Sequence, residues 1–256
     1  MSRTAKVEAV ILKTYRIGEH HKGLTLFARG QGIIRAIAHG AYKGRLASRT
    51  GFLTWARFET YTDPVKESVK ITDVDVIDDY PGLHRSLERF YAASMCAELV
   101  VASYGAGEAE QGDETAPAFP LFVETLQVLA GAEPRKVQIS AVLFAWRLIS
   151  ALGLRPDLDL CADTGALLEA EDESYYSRVD GQLHSGTSDD PNAFLVSPRA
   201  RAYLAYTDKR PFGDAVLVAV SAPTLANVSG FLRSMVEEVF GTGIASLRIA
   251  DPFSRS

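Results

Sequence analysis

Apolar and polar positions follow two different periods along this sequence. Up to about residue 80 they alternate in short runs, and from Leu83 onward apolar residues recur every three to four positions. Alternation is typical of strands with one buried face, and the longer period is typical of amphipathic helices. We therefore predict an α+β multidomain protein, with a β domain over residues 1–80, an α-helical domain over residues 81–256 and no internal repeats.

Five short strands are predicted in the first domain. So many strands in so short a segment favour a small closed barrel, because closure removes exposed sheet edges. Turns are expected at Gly30-Gln31-Gly32 and at Asp63-Pro64, and Tyr15, Phe27 and Trp55 are expected in the core. A five-stranded barrel with a long loop after its third strand has the oligonucleotide-binding (OB) fold. The predicted strands span residues 7–15, 24–28, 33–39, 52–61 and 65–76.

The second domain is expected to contain five helices and one irregular insertion. A helix over residues 137–152 carries a single charge, Arg147, so it is predicted to be the buried core of the domain. A hairpin around Asp180-Gly181 is expected in the irregular segment 153–196, and an acidic loop and a frayed tail are expected at 105–116 and 251–256. The helices are predicted at 82–104, at 119–130, from Glu133-Pro134 to 152, from Ser197-Pro198 to 206, and from Ser221 to Gly241. The first of these is expected to bury Leu83, Leu87, Phe90, Ser94 and Ala97.

Charge is distributed unevenly between the two domains. Residues 1–57 carry eleven Lys or Arg against two acidic residues, a net charge of +9, and the remainder carries −14. From Arg29 to Arg57 there are six basic residues and no acidic one. Such a surface binds polyphosphate chains, because each basic contact releases condensed counterions. The asymmetry therefore predicts nucleic-acid binding by the first domain.

The loop after the third predicted strand is the strongest candidate site. We interpret it as a flexible cationic arm in which Lys43, Arg45 and Arg49 contact phosphates and Tyr42 stacks a base. If each of the three cations contacts a phosphate, replacing all three with Ala should flatten the salt dependence on single strands by about two units. The remaining residues expected to extend the DNA-binding groove are Arg16, Lys22, Arg29, Arg35 and His39.

Other features of the sequence argue for a cytoplasmic protein without catalytic motifs. Two cysteines, Cys96 and Cys161, cannot form a disulfide framework, and neither a secretory signal nor a membrane-spanning run is evident. No phosphate-binding loop, nucleophile elbow or His-Glu-x-x-His motif is present. A metal-dependent nuclease remains an alternative, based on Asp73, Asp75, Asp78 and Asp79. A second alternative is an adaptor whose barrel binds RNA or an acidic protein.

Several segments resemble the RecO family of DNA repair and recombination mediator proteins. The opening strands of that family are similar to residues 9–14 and 24–27, and its third strand and exit into a basic loop are similar to residues 32–41. The entry to its first long helix is similar to residues 78–83, followed by Leu87-Glu88-Arg89. The likeness covers the whole chain and is most specific over residues 7–100.

The resemblance implies a non-enzymatic, nucleoid-associated bacterial protein that needs no cofactor. Such a protein binds single- and double-stranded DNA, anneals complementary strands and, with a RecR partner, helps RecA replace single-strand binding protein. The helical domain of the family receives the acidic, apolar C-terminal tail of single-strand binding protein. A pocket for that tail needs a basic residue beside an apolar hole. The candidate residues here are Arg147, Arg199, Arg201 and Arg233.

One part of the family pattern is missing. Many members carry a Cys-x-x-Cys … Cys-x-x-Cys zinc site in an inserted hairpin, which corresponds here to a zinc-finger-like insertion over residues 155–196. Because structural zinc takes four Cys or His ligands, we expect this degenerate site to bind no zinc. Apolar contacts of Tyr175, Tyr176 and Leu183 are expected to hold the hairpin instead. The corresponding positions are Cys161, Thr164, His184 and Thr187.

Overall fold

The computed structural model describes residues 4–63, 68–105, 117–249 and 253. The second half of the Asp63-Pro64 turn, most of the predicted acidic loop and nearly all of the predicted tail lie outside these residues. The chain forms two compact units, each described by itself below. One comprises Met1–Pro81 with Val100–Val123, and the other comprises Gly82–Leu99 with Glu124–Ser256.

Five strands form the sheet of the first unit, which confirms the predicted N-terminal sheet of five strands. They pair in the order β1-β2-β3-β5-β4, and β1 also pairs with β4, so that the sheet closes on itself. All pairs are antiparallel except β3 and β5. The strands are β1 (Thr4–Ile17), β2 (His21–Ala28), β3 (Gly32–Ala38), β4 (Trp55–Thr62) and β5 (Val69–Asp78).

Alternate residues of each strand fill the interior of the closed sheet, as strand geometry requires. In β2 and β3 these are the even-numbered residues, from Leu24 to Ala38. In β1 they are odd-numbered as far as Ile11. The interior is therefore packed with aliphatic side chains and the ring of Phe58. The buried residues on β1, β2, β3 and β4 are Val7, Ala9, Ile11, Leu24, Leu26, Ala28, Ala36, Ala38, Ala56 and Phe58.

A β-bulge in β1 reverses which of its residues face inward. The register with β2 shifts between Ile11 and Lys13, so that Ile11 pairs with Leu26 but Lys13 pairs with Thr25. One extra residue in a strand moves every later side chain to the opposite face of the sheet. Tyr15 therefore points outward and is 49% exposed, and the prediction that it belongs to the core is wrong.

The loop between β3 and β4 is packed against the strands, so the prediction of a flexible arm is also wrong. Ala41, Thr50 and Leu53 are fully buried, and Leu46 packs on the interior cluster. The backbone N–H of Leu53 donates to the Ile11 carbonyl at 2.8 Å, and turn hydrogen bonds recur along the segment. Small and apolar residues between the cations anchor the loop, which the count of charges alone did not indicate.

Seven helices are present in the described residues, which confirms that helices follow the sheet. The predicted N-caps at Ser197 and Ser221 each accept a backbone N–H from three residues ahead, and Gly241 follows α6 with a positive φ of 66°. The buried core helix is α3, as predicted. The helices are α1 (Leu87–Tyr104), α2 (Ala118–Gly131), α3 (Pro134–Ala151), α4 (Pro198–Asp208), α5 (Phe212–Val216), α6 (Ala222–Phe240) and α7 (Ala245–Ile249).

The start of α1 differs from the prediction. Ser86 is extended, with φ −143° and ψ 128°, so a separate 3-10 turn at Leu83–Arg85 precedes a helix that begins at Leu87. The change of direction leaves Leu87 74% exposed instead of buried. The insertion contains a small sheet of β6 (Ser174–Ser177), β7 (Gln182–Ser185) and β8 (Phe194–Val196) in the order β7-β6-β8.

Candidate nucleic-acid interface

The loop after β3 is held in place by one of the predicted DNA-binding residues. Lys22 reaches across from β2 and donates through Nζ to the Ala47 carbonyl at 3.3 Å. The same Nζ lies within 3.2–3.4 Å of the hydroxyl and carbonyl oxygens of Thr50, whose hydroxyl donates to the Leu46 carbonyl at 2.7 Å. Lys22 is half-buried and stabilises the loop through these hydrogen bonds.

The three cations of the loop differ in how free they are. Arg45 forms an ion pair with Asp73 of β5, with 2.8 Å between Nη2 and Oδ1. Arg49 donates through Nη1 to the Val74 carbonyl at 3.0 Å. Lys43 is exposed and makes no side-chain hydrogen bond or ion pair with the described residues. Only Lys43 is thus available to a phosphate without giving up a protein partner.

Tyr42 is part of the loop, and its ring lies beside residues at the ends of β1 and β2. Its ring is 43% exposed, and the guanidinium carbon of Arg16 and the Nζ of Lys22 lie 5.6 Å and 5.4 Å from the ring centroid. Both distances are within the range of cation–π attraction. Arg16, Lys22, Tyr42, Lys43, Arg45 and Arg49 thus form one group, which we call the loop cluster.

A second group lies on the outer face of β1, β2 and β3. The register places Lys13, Thr25 and Arg35 in one row across the three strands and Tyr15, Gly23 and Ile37 in the next. Lys13, Tyr15 and Arg35 are exposed. We call this surface the outer face. Sequence reasoning missed Lys13 and placed Tyr15 in the core, although a glycine inside a strand is itself a signal that another group approaches closely.

His39 continues the outer face one position beyond β3. It is exposed, as is Arg35 on the same side of the strand, and its ring meets that of His21 edge to face at 4.6 Å. Partial desolvation, His21 and Lys70 together lower the pKa of His39 below its ordinary value. These surroundings therefore disfavour the positively charged form of His39.

Arg29 belongs to neither group. It follows β2 and forms an ion pair with Glu8, with 2.9 Å between Nη2 and Oε1. Its guanidinium carbon also lies 4.6 Å from the centroid of the Phe119 ring. Phe27, which is buried on the outside of the sheet, stacks on Tyr104 and also packs against Phe119. Arg29 therefore belongs to a separate, packed patch of the first unit.

Arg147 and Arg201, two of the four arginines predicted to bind a protein partner, donate hydrogen bonds inside the helical unit. Arg147 donates through Nη2 to the carbonyls of Thr207 and Arg210 at 2.9 Å and 2.7 Å. Desolvation lowers the pKa of Arg147. Arg233 pairs with Glu237 at 3.1 Å, and Arg199 is exposed on α4. Arg199 and Arg233 are thus the exposed members of the four, and Arg199 has no internal partner among the described residues.

Arg201 is 5% exposed and connects the insertion to α4. Its two terminal nitrogens donate to four carbonyl oxygens of the insertion, at distances between 2.8 Å and 3.4 Å. A guanidinium can supply that many donors in a fixed plane, which no other side chain can do. The four acceptors are Leu158, Leu168, Glu169 and Asp172.

The degenerate zinc positions do not form a zinc-binding set. Thr164 and Thr187 are exposed. The sulfur of Cys161 is hydrogen-bonded to the hydroxyl and to the backbone N–H of Ser185. Hydrogen bonds with Thr164 and Ser185 lower the pKa of the Cys161 thiol to about 6. In the described part of the chain, no group of three Cys, His, Asp or Glu side chains is placed to hold a metal ion. That the protein binds no zinc stays a prediction.

His184, at a position that corresponds to a zinc ligand of the family, contacts two carboxylates instead. Its Nδ1 lies 2.8 Å from Asp163 and its Nε2 lies 3.0 Å from Asp180, while its ring stacks on Tyr175 at 5.1 Å. Burial disfavours the charged imidazole, but Asp163 and Asp180 outweigh it and raise the pKa of His184. Leu183, next to it, is buried, as is Tyr176. The hairpin thus combines the predicted apolar contacts with an ionic cluster that the sequence did not indicate.

Three of the four aspartates of the nuclease alternative contact neighbouring residues. Asp73 pairs with Arg45, and Asp75 lies 3.9 Å from Arg57. Asp78 accepts a hydrogen bond from the backbone N–H of Tyr80 at 2.7 Å.

The residues that the structure describes contain no helix long and apolar enough to cross a membrane.

The order of elements places the chain in a class of proteins built from a small closed sheet with a cationic face followed by a helical domain. Comparison of the sequence with models of protein families defines the class further. The model described as Recombination protein O N terminal matches residues 1–80, and the one described as Recombination protein O C terminal matches residues 84–248. The chain therefore belongs to the RecO family of DNA repair proteins.

Similar curated proteins carry the name DNA repair protein RecO. The protein of Pelotomaculum thermopropionicum is 31% identical over 157 residues, covering 61% of this chain and 58% of the relative. The protein of Heliobacterium modesticaldum is 28% identical over 244 residues, 91% of this chain and 84% of the relative. That of Exiguobacterium is 24% identical over 98% of this chain and 96% of the relative. The first alignment thus spans less than two thirds of the relative, whereas the other two extend over most of both chains.

Proposed function

We propose that this protein is a non-enzymatic recombination mediator that binds single- and double-stranded DNA and anneals complementary strands. In this proposal the closed sheet is an OB-type barrel, and a RecR partner and the protein together help RecA replace single-strand binding protein. The observation that carries the proposal is the concentration of cations in the loop cluster, on a chain that belongs to the RecO family.

Annealing follows from electrostatics alone. Two DNA strands repel each other through their phosphates, and a protein surface that neutralises both backbones lowers that repulsion. Lys43 supplies a free cation, and Arg49 adds positive charge beside it while it donates to the Val74 carbonyl. Arg45 stays paired with Asp73 and is a cation held in reserve. No nucleotide hydrolysis and no metal ion is needed for this reaction.

The helical unit is proposed to dock protein partners. Its negative charge confines DNA to the sheet domain, and exposed basic residues on it attract an acidic tail. Among the four predicted arginines, Arg199 meets this requirement without losing an internal contact. We therefore assign the tail of single-strand binding protein to the surface of α4 around Arg199.

The test is annealing of two complementary oligonucleotides, followed by fluorescence in EDTA and without ATP. Wild type is compared with a variant in which Lys43, Arg45 and Arg49 are all replaced by Ala. A second variant with the exposed residues Arg85, Lys136 and Lys209 replaced by Ala controls for the loss of three positive charges. The proposal expects fast annealing by wild type and by the control and slow annealing by the loop variant.

Other outcomes would contradict parts of the proposal. Equal annealing by all three proteins would refute the assignment to the loop cluster. Absence of annealing at low salt would refute the mediator function. Cleavage of the strands that requires a divalent metal ion would favour the nuclease alternative, and tighter binding to RNA or to an acidic peptide would favour the adaptor.

A further inference from the structure

The side chain of Tyr15 lies flat over Gly23 on the outer face. A Cβ atom added to Gly23 would come within 2.1 Å of the Tyr15 ring carbon Cζ and within 2.2 Å of Cε2. The two residues are direct partners in the β1–β2 register. The ring therefore occupies the space that a side chain at position 23 would need, which leaves about half of the Tyr15 side chain exposed to solvent.

Two features of the backbone create this arrangement. The bulge between Ile11 and Lys13 turns Tyr15 outward, and the glycine opposite leaves room for its ring to lie down. Both the bulge and the glycine are thus needed for a ring that is exposed and held flat.

The surroundings of the ring are positively charged. Lys13 lies two residues before Tyr15 on the same side of β1, and Arg35 lies in the neighbouring row on β3. Ile37 completes the Tyr15 row as a half-buried apolar neighbour. No acidic residue stands at the outward positions that follow the bulge on these three strands or at His39, just beyond β3. These positions are Lys13, Tyr15, Ile17, His21, Gly23, Thr25, Arg35, Ile37 and His39.

We propose that Tyr15 is a stacking platform for an unpaired base of single-stranded DNA, with Lys13 and Arg35 contacting the flanking phosphates. This inference rests on the proposed function and adds a distinction that the loop cluster lacks. Phosphate contacts are available to single and double strands alike, whereas a flat ring needs the face of a base that is not stacked in a duplex. Tyr15 thus selects single strands.

The experiment measures the affinity of fluorescent oligothymidine, of an abasic sugar–phosphate strand of equal length, and of a duplex. Stacking on an aromatic side chain contributes roughly 1–3 kcal/mol per base, so Tyr15→Ala should weaken binding to oligothymidine roughly 5- to 150-fold. Binding to the abasic strand and to the duplex should change less than twofold. Because Tyr15 carries no charge, the salt dependence should stay the same.

Two further variants separate stacking from other causes. Tyr15→Phe keeps the ring and should bind oligothymidine within about twofold of wild type, because the π-face is retained. Gly23→Ala leaves Tyr15 in place but displaces its ring, so it should weaken binding to oligothymidine selectively. Tyr206→Ala, on α4 of the helical unit, serves as the control for the loss of an exposed tyrosine outside the DNA-binding surfaces.

Clear outcomes would overturn the inference. If Tyr15→Ala binds oligothymidine as wild type does while the triple loop variant loses affinity, the platform is refuted and the proposed function stands. If Tyr15→Ala weakens all three ligands equally, Tyr15 supports the fold and not base stacking. If wild type binds none of the three at low salt, both the inference and the proposed function fail.

Discussion

Asp73 holds Arg45 through an exposed ion pair, and this contact makes the contribution of each loop cation to DNA binding measurable. Replacing Asp73 with Asn removes the charge but retains an Oδ1 atom that can accept the Val74 backbone N–H, now 2.8 Å away. Arg45 then loses its ionic partner, although the same Oδ1 can still accept a hydrogen bond from it, so a phosphate competes for Arg45 without displacing a carboxylate. The side chain of Arg45 is already 64% exposed, so the fold should not change.

The expected effect can be calculated. One additional phosphate contact steepens the slope of log affinity against log salt by about 0.7 on single strands. Raising the salt concentration from 50 to 200 mM should therefore weaken the binding of single-stranded DNA by about 2.6-fold more in Asp73→Asn than in wild type. An exposed ion pair contributes about 0–1 kcal/mol, so affinity at low salt should rise by at most about fivefold. By the same reasoning the triple loop variant should flatten the slope by about 0.7 to 2 units, with the lower value reflecting Lys43 alone.

The assay is fluorescence anisotropy titration at four salt concentrations. Asp75→Asn is the matched control, because it removes the same charge from the same strand, next to Arg57 at 3.9 Å and not next to the loop. It should leave the slope unchanged. In a protein that also carries Arg45→Ala, Asp73→Asn should have no effect on the slope. Equal slopes for Asp73→Asn and wild type, or equal changes for both aspartate variants, would refute the reasoning.

Two further predictions concern the insertion. Arg201→Met should lower the free energy of unfolding by about 3 kcal/mol or more, since each buried carbonyl left without a donor costs about 1–3 kcal/mol. Arg199→Met, on the same helix, should change the free energy of unfolding by no more than about 0.5 kcal/mol. Similar losses for the two variants in chemical denaturation would contradict the role of Arg201. His184 has a raised pKa, so its ion pairs with Asp163 and Asp180 stabilise the fold fully below about pH 6.5 and are lost as the pH rises through that raised value. The difference in thermal stability between wild type and His184→Gln should therefore shrink from pH 6 to pH 9, and a difference that is constant with pH would show that His184 acts through packing alone.

Features with a local signal could be predicted from the sequence. Ser197-Pro198 and Ser221 carry their caps within three residues, and the single charge between Val137 and Leu152 is sufficient to identify the buried helix α3. The third strand was predicted within one residue at each end, because its glycine turn and its alternation both lie in the adjacent sequence. In such cases the local sequence and the final fold favour the same conformation.

Features that depend on pairing between strands could not be predicted. Whether Tyr15 faces inward depends on a bulge that appears only when β1 is aligned with β2. The burial of Arg201 depends on carbonyls about thirty to forty residues earlier in the chain. The candidate site shows the same limit, since a count of basic residues treats Lys43 and Arg45 alike although only one of them has a carboxylate partner.

The position of Arg201 in the chain has a consequence for the order of folding during synthesis. Every carbonyl that it holds precedes it, and the last of them, that of Asp172, lies 29 residues upstream. At about 5–20 residues per second, the ribosome needs about 1–6 s to extend the chain from Asp172 to Arg201. The first part of the insertion, residues 158–172, is therefore synthesised before its central donor and remains without it until α4 has been made. A slow codon between these two positions would lengthen the interval in which the nascent segment is open to proteases and chaperones.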